Sequence, residues 1–408
     1  MKVASAIANI RPHCDVHLVG YVGEDRQHVA KGIHDDPLAI SLLLEINGKR
    51  LLFVSIDVII LAGRKAEILR KKICHQLHLD EENVILNAIH SHSLANGFCD
   101  GPLFGIPDNN EYFQYACDQI LLSLQGIEEK LENVTMEIGT TKVHGFYSKR
   151  TDVTLPFDDH AAIIKFIHDD RVIAAMCNIN CHATVLGPKN MLLSSDLIGE
   201  VRRLMAQELG VIPFTFTGAS GDISNRQFRQ GNDFSELERV GQGIAGILKD
   251  ISHYHQLRIK DFCMKTYDYH IAYDNTLYYS EYQKGIDEAN AVLSQKNISL
   301  DEWKMRTSEK LALEEKMKTK NVDFHVKGKI LHMDELTIVT YPGELASRFG
   351  LELRKKCQTP YFLLIGYADD YQGYFIEEEE YGKTYETKAS NTPKGETEKI
   401  VKKIGDLL

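Results

Sequence analysis

From residue 51 the chain runs Leu-Leu-Phe-Val-Ser-Ile with scarcely a polar break, then changes rhythm. Over 64–77 the apolar positions Ile68, Leu69, Ile73 and Leu77 sit among lysines and arginines at the spacing of an amphipathic helix. Another unbroken apolar run, 84–89, follows and ends at His90. Short apolar runs of this kind read as buried strands, so the segment predicts strand, helix, strand. The rhythm returns over 172–180, 196–209 and 212–217, where the strands end at Cys181-His182 and at GASGDISNR. It returns again over 336–341, 345–356 and 361–365, the strands ending at PGE and GYADDYQGY. Strand–helix–strand units imply parallel pairing. The predicted fold class is therefore α/β, with mixed, largely parallel sheets flanked by helices.

Between the second and third units the pattern turns polar. EYQKGIDEANAVL and DEWKMRTSEKLALEEKMK keep helical periodicity but are rich in Glu and Lys. The stretch 278–320 is expected to be a helical excursion, one or two solvated helices packed on the main body. The chain then divides into a main domain, 1–386, and a C-terminal tail, 387–408, with a helix over 396–407.

Composition narrows the class. With 408 residues, 43% hydrophobic and 26% charged, the chain can bury a large core without disulfides. A net charge of −11 disfavours an electrostatic grip on nucleic acid or on an anionic membrane. The eight cysteines form no CxxC pair and read as reduced thiols. MKVASAIANIRP has neither the long apolar core nor the cleavage pattern of a signal peptide. LLFVSIDVIILA is about half a membrane span, broken by Ser55 and Asp57. A cytoplasmic protein without stable membrane insertion is expected.

The chemistry gathers after the strand ends. His90, His182, the Gly-Asp-Ile-Ser turn, Glu344 and Tyr371 all follow the carboxyl end of a predicted strand, the edge where open α/β sheets bind ligands. In a strand, His90 and His92 would point the same way, able to share a metal or to divide metal binding and proton transfer. Taken singly, each residue also has a structural role. His182 reads as a buried histidine bonded to backbone, Glu344 as a carboxylate in a helix's first turn, and Asp222 as a turn former or N-cap. Tyr371 and Tyr374 read as packing aromatics.

Taken together, in order, six stretches resemble the neutral/alkaline ceramidase family, specifically its amino-terminal catalytic domain. MKVASAIANIRP with GIHDDPLAISLLLE resembles the family's opening strands, and NAIHSHS its Thr-His-Thr-His-Ser segment. NINCHATVLGPKN with SSDLIGE resembles the second histidine loop, and GASGDISNR the Gly-Asp-Val-Ser-Pro-Asn turn. YPGELASRFG resembles the Pro-Gly-Glu segment, and DDYQGYFIEEEEYGKTYE the tyrosine-rich loop, so that the likeness spans most of 1–386. The resemblance implies a Zn²⁺ held by His90, His182 and Glu344, with Tyr371 completing or capping it; Tyr374 is the alternative in that loop. Such an ion polarises a carbonyl and lowers the pKa of bound water. The resemblance also makes Ser224 the nucleophile, unless metal-bound hydroxide attacks instead, with His92 contacting it or holding substrate. Arg150, or Lys149 in its place, would steady the oxyanion together with Tyr374.

The sequence departs from that family at Ile223-Ser224-Asn225-Arg226, where a proline is replaced and an arginine appears. Arg226 and Arg229 are either surface charge or candidates to meet a carboxylate or phosphate, which plain ceramide lacks. The chain also stops where long ceramidases continue into an immunoglobulin-like domain. The expected function is zinc-dependent hydrolysis of an N-acyl amide, on a lipid-like or smaller and more polar substrate. Rivals are a metal-dependent hydrolase of an ester, phosphate or cyclic amide, and a non-catalytic metal- or ligand-binding protein on the same scaffold.

Overall fold

Turn chemistry sets the sheet topology. The computed structural model describes residues 1–408, the side chains of residues 300 and 301 excepted. Asn47 and Gly48 both take positive φ, 52° and 75°, and fold Leu38–Ile46 back on Lys49–Ile56 with Ile46 opposite Lys49. Two-residue turns of this hand match the twist of the strands they join. Asp169 and Asp170, at 45° and 60°, do the same between His160–His168 and Arg171–Asn178. Asp334, at 44°, opens the turn between Asn321–Met333 and Leu336–Thr340. From the second arm of each hairpin the chain crosses over a helix into a parallel neighbour. Gly63–Leu77 leads to Val84–Ala88, Asp196–Leu209 to Phe214–Phe216, and Ser347–Lys356 to Tyr361–Ile365.

The expectation of largely parallel sheets is overturned by these hairpins. The first sheet runs Val84–Ala88, Lys49–Ile56, Leu38–Ile46, Lys2–Asn9, Glu132–Asn133. The second runs Phe214–Phe216, Arg171–Asn178, His160–His168, Thr135–Lys142, His255–Leu257. The third runs Cys263–Asp274, Asn321–Met333, Leu336–Thr340, Tyr361–Ile365. In each, parallel pairing is confined to the crossover pair at one edge, and the remaining pairings are antiparallel. The apolar runs are continuous because the sheets are covered on both faces, not because they are parallel.

Leu52, Val54 and Ile56 face the helices, packing on Leu69, Ile73 and Leu77 and on Phe113 and Ile120 of helix Asn110–Ser123. Leu51, Phe53 and Ile85 face the other way, against Phe166, Met176 and Phe214 of the second sheet and Leu336 and Ile338 of the third. Phe53 is fully buried and meets Phe214 edge-on at 5.9 Å. Its truncation to Ala would cost about 3–5 kcal/mol. The second sheet's outer face is covered by Asp196–Leu209 and Phe234–Lys249 through Val201, Met205, Val240 and Ile244. The third sheet is covered by Phe349 and Leu353, and by Ile400, Val401 and Ile404 of Glu396–Gly405. Sequence beyond 386 therefore belongs to the third sheet's core.

Between the long strands Cys263–Asp274 and Asn321–Met333 the chain makes helices Tyr279–Leu293 and Leu300–Lys316, with a small cluster of Tyr282, Ile286 and Leu313. This excursion leans on the short helix Tyr385–Ala389, where Lys388 Nζ lies 3.1 Å from the buried Glu309 carboxylate. Among the described residues no helix is long and apolar enough to cross a membrane.

Candidate active site

The carboxyl ends of the parallel strands meet at one place. Strand Val84–Ala88 stops two residues short of His90, which takes a left-handed conformation at φ 60°. His90 and His92 are therefore joined by a turn, not by strand alternation, and their Nε2 atoms still lie 3.3 Å apart. His182 comes from the loop after Arg171–Asn178 and completes a trio whose ligand atoms are all within 4.8 Å of one another.

Each ring is held from behind by a main-chain carbonyl. His90 donates its Nδ1–H to Ile59 O at 2.7 Å, His92 to Gly20 O at 2.8 Å and His182 to Ser220 O at 2.7 Å. Those bonds fix the tautomer. Burial pushes all three imidazoles well below their ordinary pKa and keeps them neutral. The Nε2 atoms then carry lone pairs, converging with no proton to separate them. Gly20 has φ +106° and a Cβ there would lie 2.7 Å from the His92 ring, so the close approach requires glycine.

Glu344 and Leu345 form a two-residue strand parallel to Tyr374 and Phe375. The first N–H of the following helix, that of Ser347, goes to Asp222 Oδ1 at 2.8 Å. Asp222 thus caps a helix from a remote turn, and the Glu344 carboxylate is left for the histidines. It lies 2.8 Å from His182 Nε2 and 3.5 Å from His90 Nε2. Tyr371 Oη donates to its Oε1 at 2.5 Å. Burial raises the Glu344 pKa, against the opposing pull of His90 and Tyr371. Both tyrosines bear on the carboxylate: Tyr371 donates to Oε1, and a hydrogen bond from Tyr374 also favours the charged form of Glu344.

Arg150 is buried, with Nη1 2.7 Å from Glu386 Oε1. Burial would lower its pKa, but Tyr374, Glu386 and Glu344 outweigh that and raise it well above the ordinary value. The neighbouring Lys149 is engaged elsewhere, 3.1 Å from Asp222 and 3.0 Å from Glu377. Ser224 is buried and pairs with Ser148 across a short antiparallel bridge. Its Oγ accepts from Arg226 N at 3.3 Å. Among the described residues no imidazole or carboxylate bonds this hydroxyl, so the contact expected between His92 and Ser224 is not formed. His92 stands with the other two imidazoles instead.

Sequence reasoning missed Tyr367, whose ring stacks on His90 at 4.0 Å between centroids and whose hydroxyl lies 3.2 Å from Ser220 Oγ. It also missed Glu386, which carries no local signal. Tyr367 was within reach, since it opens the same strand-end loop as Tyr371.

Neutral ceramidase from Pseudomonas aeruginosa shares this architecture, with a TM-score of 0.73 at 17% identity over 99% of this chain and 73% of that one. A ceramidase complexed with C2 aligns equally well, at TM-score 0.73 and 15% identity over 99% and 74%. At such identities the likeness is one of fold, and no curated protein matches the sequence. The model of the N-terminal part of the neutral/alkaline non-lysosomal ceramidases covers residues 6–212, which include His90, His92, Arg150 and His182. With half of its length matched in this way, the chain belongs to the neutral/alkaline non-lysosomal ceramidase family.

Proposed function

We propose that the protein is a zinc-dependent amidase that hydrolyses an N-acyl linkage of a lipid-like substrate. Family and fold support a ceramidase-like hydrolase. The observation that carries the finer reading is the set of three imidazoles whose Nδ1 atoms are all tied to carbonyls while their Nε2 atoms face one another and a carboxylate.

The donor set fits a cation. Ligands at 2.0–2.2 Å from a tetrahedral zinc stand about 3.3 Å apart. The Glu344 carboxylate lies 2.8 Å from His182 Nε2 and 3.5 Å from His90 Nε2, either side of that value, and the ring nitrogens of His90, His92 and His182 are all within 4.8 Å of one another, those of His90 and His92 at 3.3 Å. His90, His182 and Glu344 would hold the ion, with Tyr371 capping and the His92 nitrogen alongside. Imidazole with carboxylate favours zinc among the common divalent ions. When bound, zinc supplies Lewis acidity toward the substrate carbonyl.

The chain's own residues account for the rest. Ser224 would supply the attacking oxygen: its Oγ, which accepts from Arg226 N, bonds the acyl carbon as the C–N bond breaks, its proton passes through solvent to the departing amine, and water then releases the acid and restores the hydroxyl. Arg150, fixed by Glu386, offers a permanent cation to the charge that develops on the carbonyl oxygen. Tyr374 stays protonated, since burial and then Glu344 raise its pKa well above the ordinary value, and its hydroxyl, bonded to Glu344 in the free protein, would turn to donate to the same oxygen. Tyr367 holds the plane of His90 by stacking.

Metal analysis of purified protein, paired with a panel of N-acyl amide, ester and phosphate substrates, tests this. The expected result is about one zinc per chain and amide cleavage lost on chelation. Protein that neither holds nor responds to zinc, or that cleaves esters or phosphates but no amide, defeats the proposal. We place the protein in the cytoplasm on its eight free cysteines, which suit a reducing compartment.

A further inference from the structure

Arg226 and Arg229 stand just beyond Ser224, and among the described residues no carboxylate pairs with either. The backbone of their turn is pinned. Arg226 N donates to Ser224 Oγ at 3.3 Å, Phe228 N and Arg229 N donate to Asn225 O at 2.9 and 3.0 Å, and Gln227 Nε2 donates to Arg150 O at 2.8 Å. Yet among the described residues neither guanidinium makes an ion pair or a hydrogen bond. Arg226 is exposed and Arg229 half-buried, so both are open to a ligand from solvent, unlike the buried Arg202, Arg70 and Arg26, which Asp57, Asp369 and three carbonyls engage.

The charges around Arg226 sharpen the point. Its guanidinium pKa is lowered, by burial first and then by Arg150, with Arg229 adding a like charge. Glu386, which acts in the opposite sense, is already bonded to Arg150 at 2.7 Å. A chain of net charge −11 therefore keeps three arginines beside Ser224 with one carboxylate, Glu386, among them. Next to it the Asn225 amide is 1% exposed, and neither its Nδ2 nor its Oδ1 has a partner. Buried amides are rarely left open at both ends, and each one calls for a reason.

We infer that residues 225–229 form an anion-recognition subsite, and that the substrate is an N-acyl amide bearing an oxyanion group seated on Arg226 and Arg229. This inference rests on the amidase reading given above. A carboxylate and a phosphate share the paired oxygens that fit a guanidinium fork. The group lies on the side of the substrate that passes Ser224. Its contacts add binding without touching the reacting atoms, so the gain falls in KM.

The test uses three amides with one acyl chain: an uncharged N-acyl amino alcohol, an N-acyl amino acid, and the phosphate monoester of the amino alcohol. The expected result is a wild-type kcat/KM at least about tenfold higher for a charged amide than for the neutral one. Arg226→Gln and Arg229→Gln each abolish most of that advantage and leave the neutral amide's rate within about twofold. Comparison of the two charged amides tells carboxylate from phosphate. Equal rates on neutral and charged amides overturn the inference and leave the amidase reading standing, as does an equal loss on all three substrates in both variants. Inactivity on every amide defeats the amidase reading and the subsite with it. If the variants do not fold by circular dichroism, the wild type decides. Loss of the charged-substrate advantage with added sodium chloride is then expected, and its persistence overturns the subsite.

Discussion

Replacing Glu344 by Gln separates the cation's contribution from that of the fold. The carboxylate is 2% exposed and has two neutral imidazoles as neighbours, with no lysine or arginine in ion-pair contact among the described residues. Burial raises its pKa, so without a cation the charged form is a burden on the native state. Gln keeps the shape and removes the charge, and the metal-free variant is expected to melt no lower than the metal-free wild type. Zinc reverses the order. Free zinc at about 1,000 times its dissociation constant stabilises the wild type by about 4 kcal/mol. A melting entropy of about 2.1 cal/mol/K per residue, over 408 residues, gives about 0.9 kcal/mol per degree and a shift of about 5 °C. An affinity about 100-fold weaker in Glu344→Gln leaves about 1.4 kcal/mol, or about 2 °C, at the same zinc concentration. Thermal melts near neutral pH, in chelator and then in buffered zinc, read both numbers. An equal zinc shift in the two proteins, or none in the wild type, would refute the placement of the cation at Glu344.

Three further outcomes are expected. Ser224→Ala should lower kcat on an N-acyl amide by about 1,000-fold or more with zinc content unchanged, and an unchanged rate removes the serine from the reaction. Gly20→Ala drives a methyl into the His92 ring at 2.7 Å from a φ of +106°, and zinc titration should show an affinity weakened by about 10–100-fold. Asp369→Asn should cost about 3–5 kcal/mol of stability, because Asp369 lies 2.9 Å from Arg70 and 3.1 Å from Lys329 in a largely buried cluster. Burial would raise the Asp369 pKa, but Arg70 and Lys329 hold it below the ordinary value. A depressed folded pKa means stability present above the unfolded value, about 3.9, and lost as pH falls through the folded one. Denaturation midpoints of wild type and variant should therefore converge in acid and diverge toward neutrality.

Position pointed to a ligand-binding edge, because His90, His182, Glu344 and Tyr371 each follow an apolar run read as a buried strand, while their grouping as a metal set came from the family resemblance; the structure brings the four side chains together. The sheet direction was misread because apolar runs report burial, whereas pairing direction is written in turns. Asn47-Gly48 and Asp169-Asp170 carried that signal in two residues each. Other features were not legible at all. The groups that orient the three imidazoles are backbone carbonyls of Ile59, Gly20 and Ser220, which have no side-chain identity to recognise. Asp222 caps a helix 125 residues away. Lys149 and Arg150 are adjacent cations with similar sequence credentials, told apart only by the distant acids that claim them.

The paired helices inserted at the far end of the third sheet's long hairpin have a reach that their polar surface conceals. Glu309 on the second of them grips Lys388, and two residues earlier Glu386 grips Arg150. The cation beside the reacting centre is thereby moored, through one short helix, to an appendage that adds nothing to the sheets. Trimming that appendage to simplify the molecule would slacken the mooring, and under the proposed amidase chemistry the oxyanion would lose its steadying hand while His90, His182 and Glu344 stayed in place.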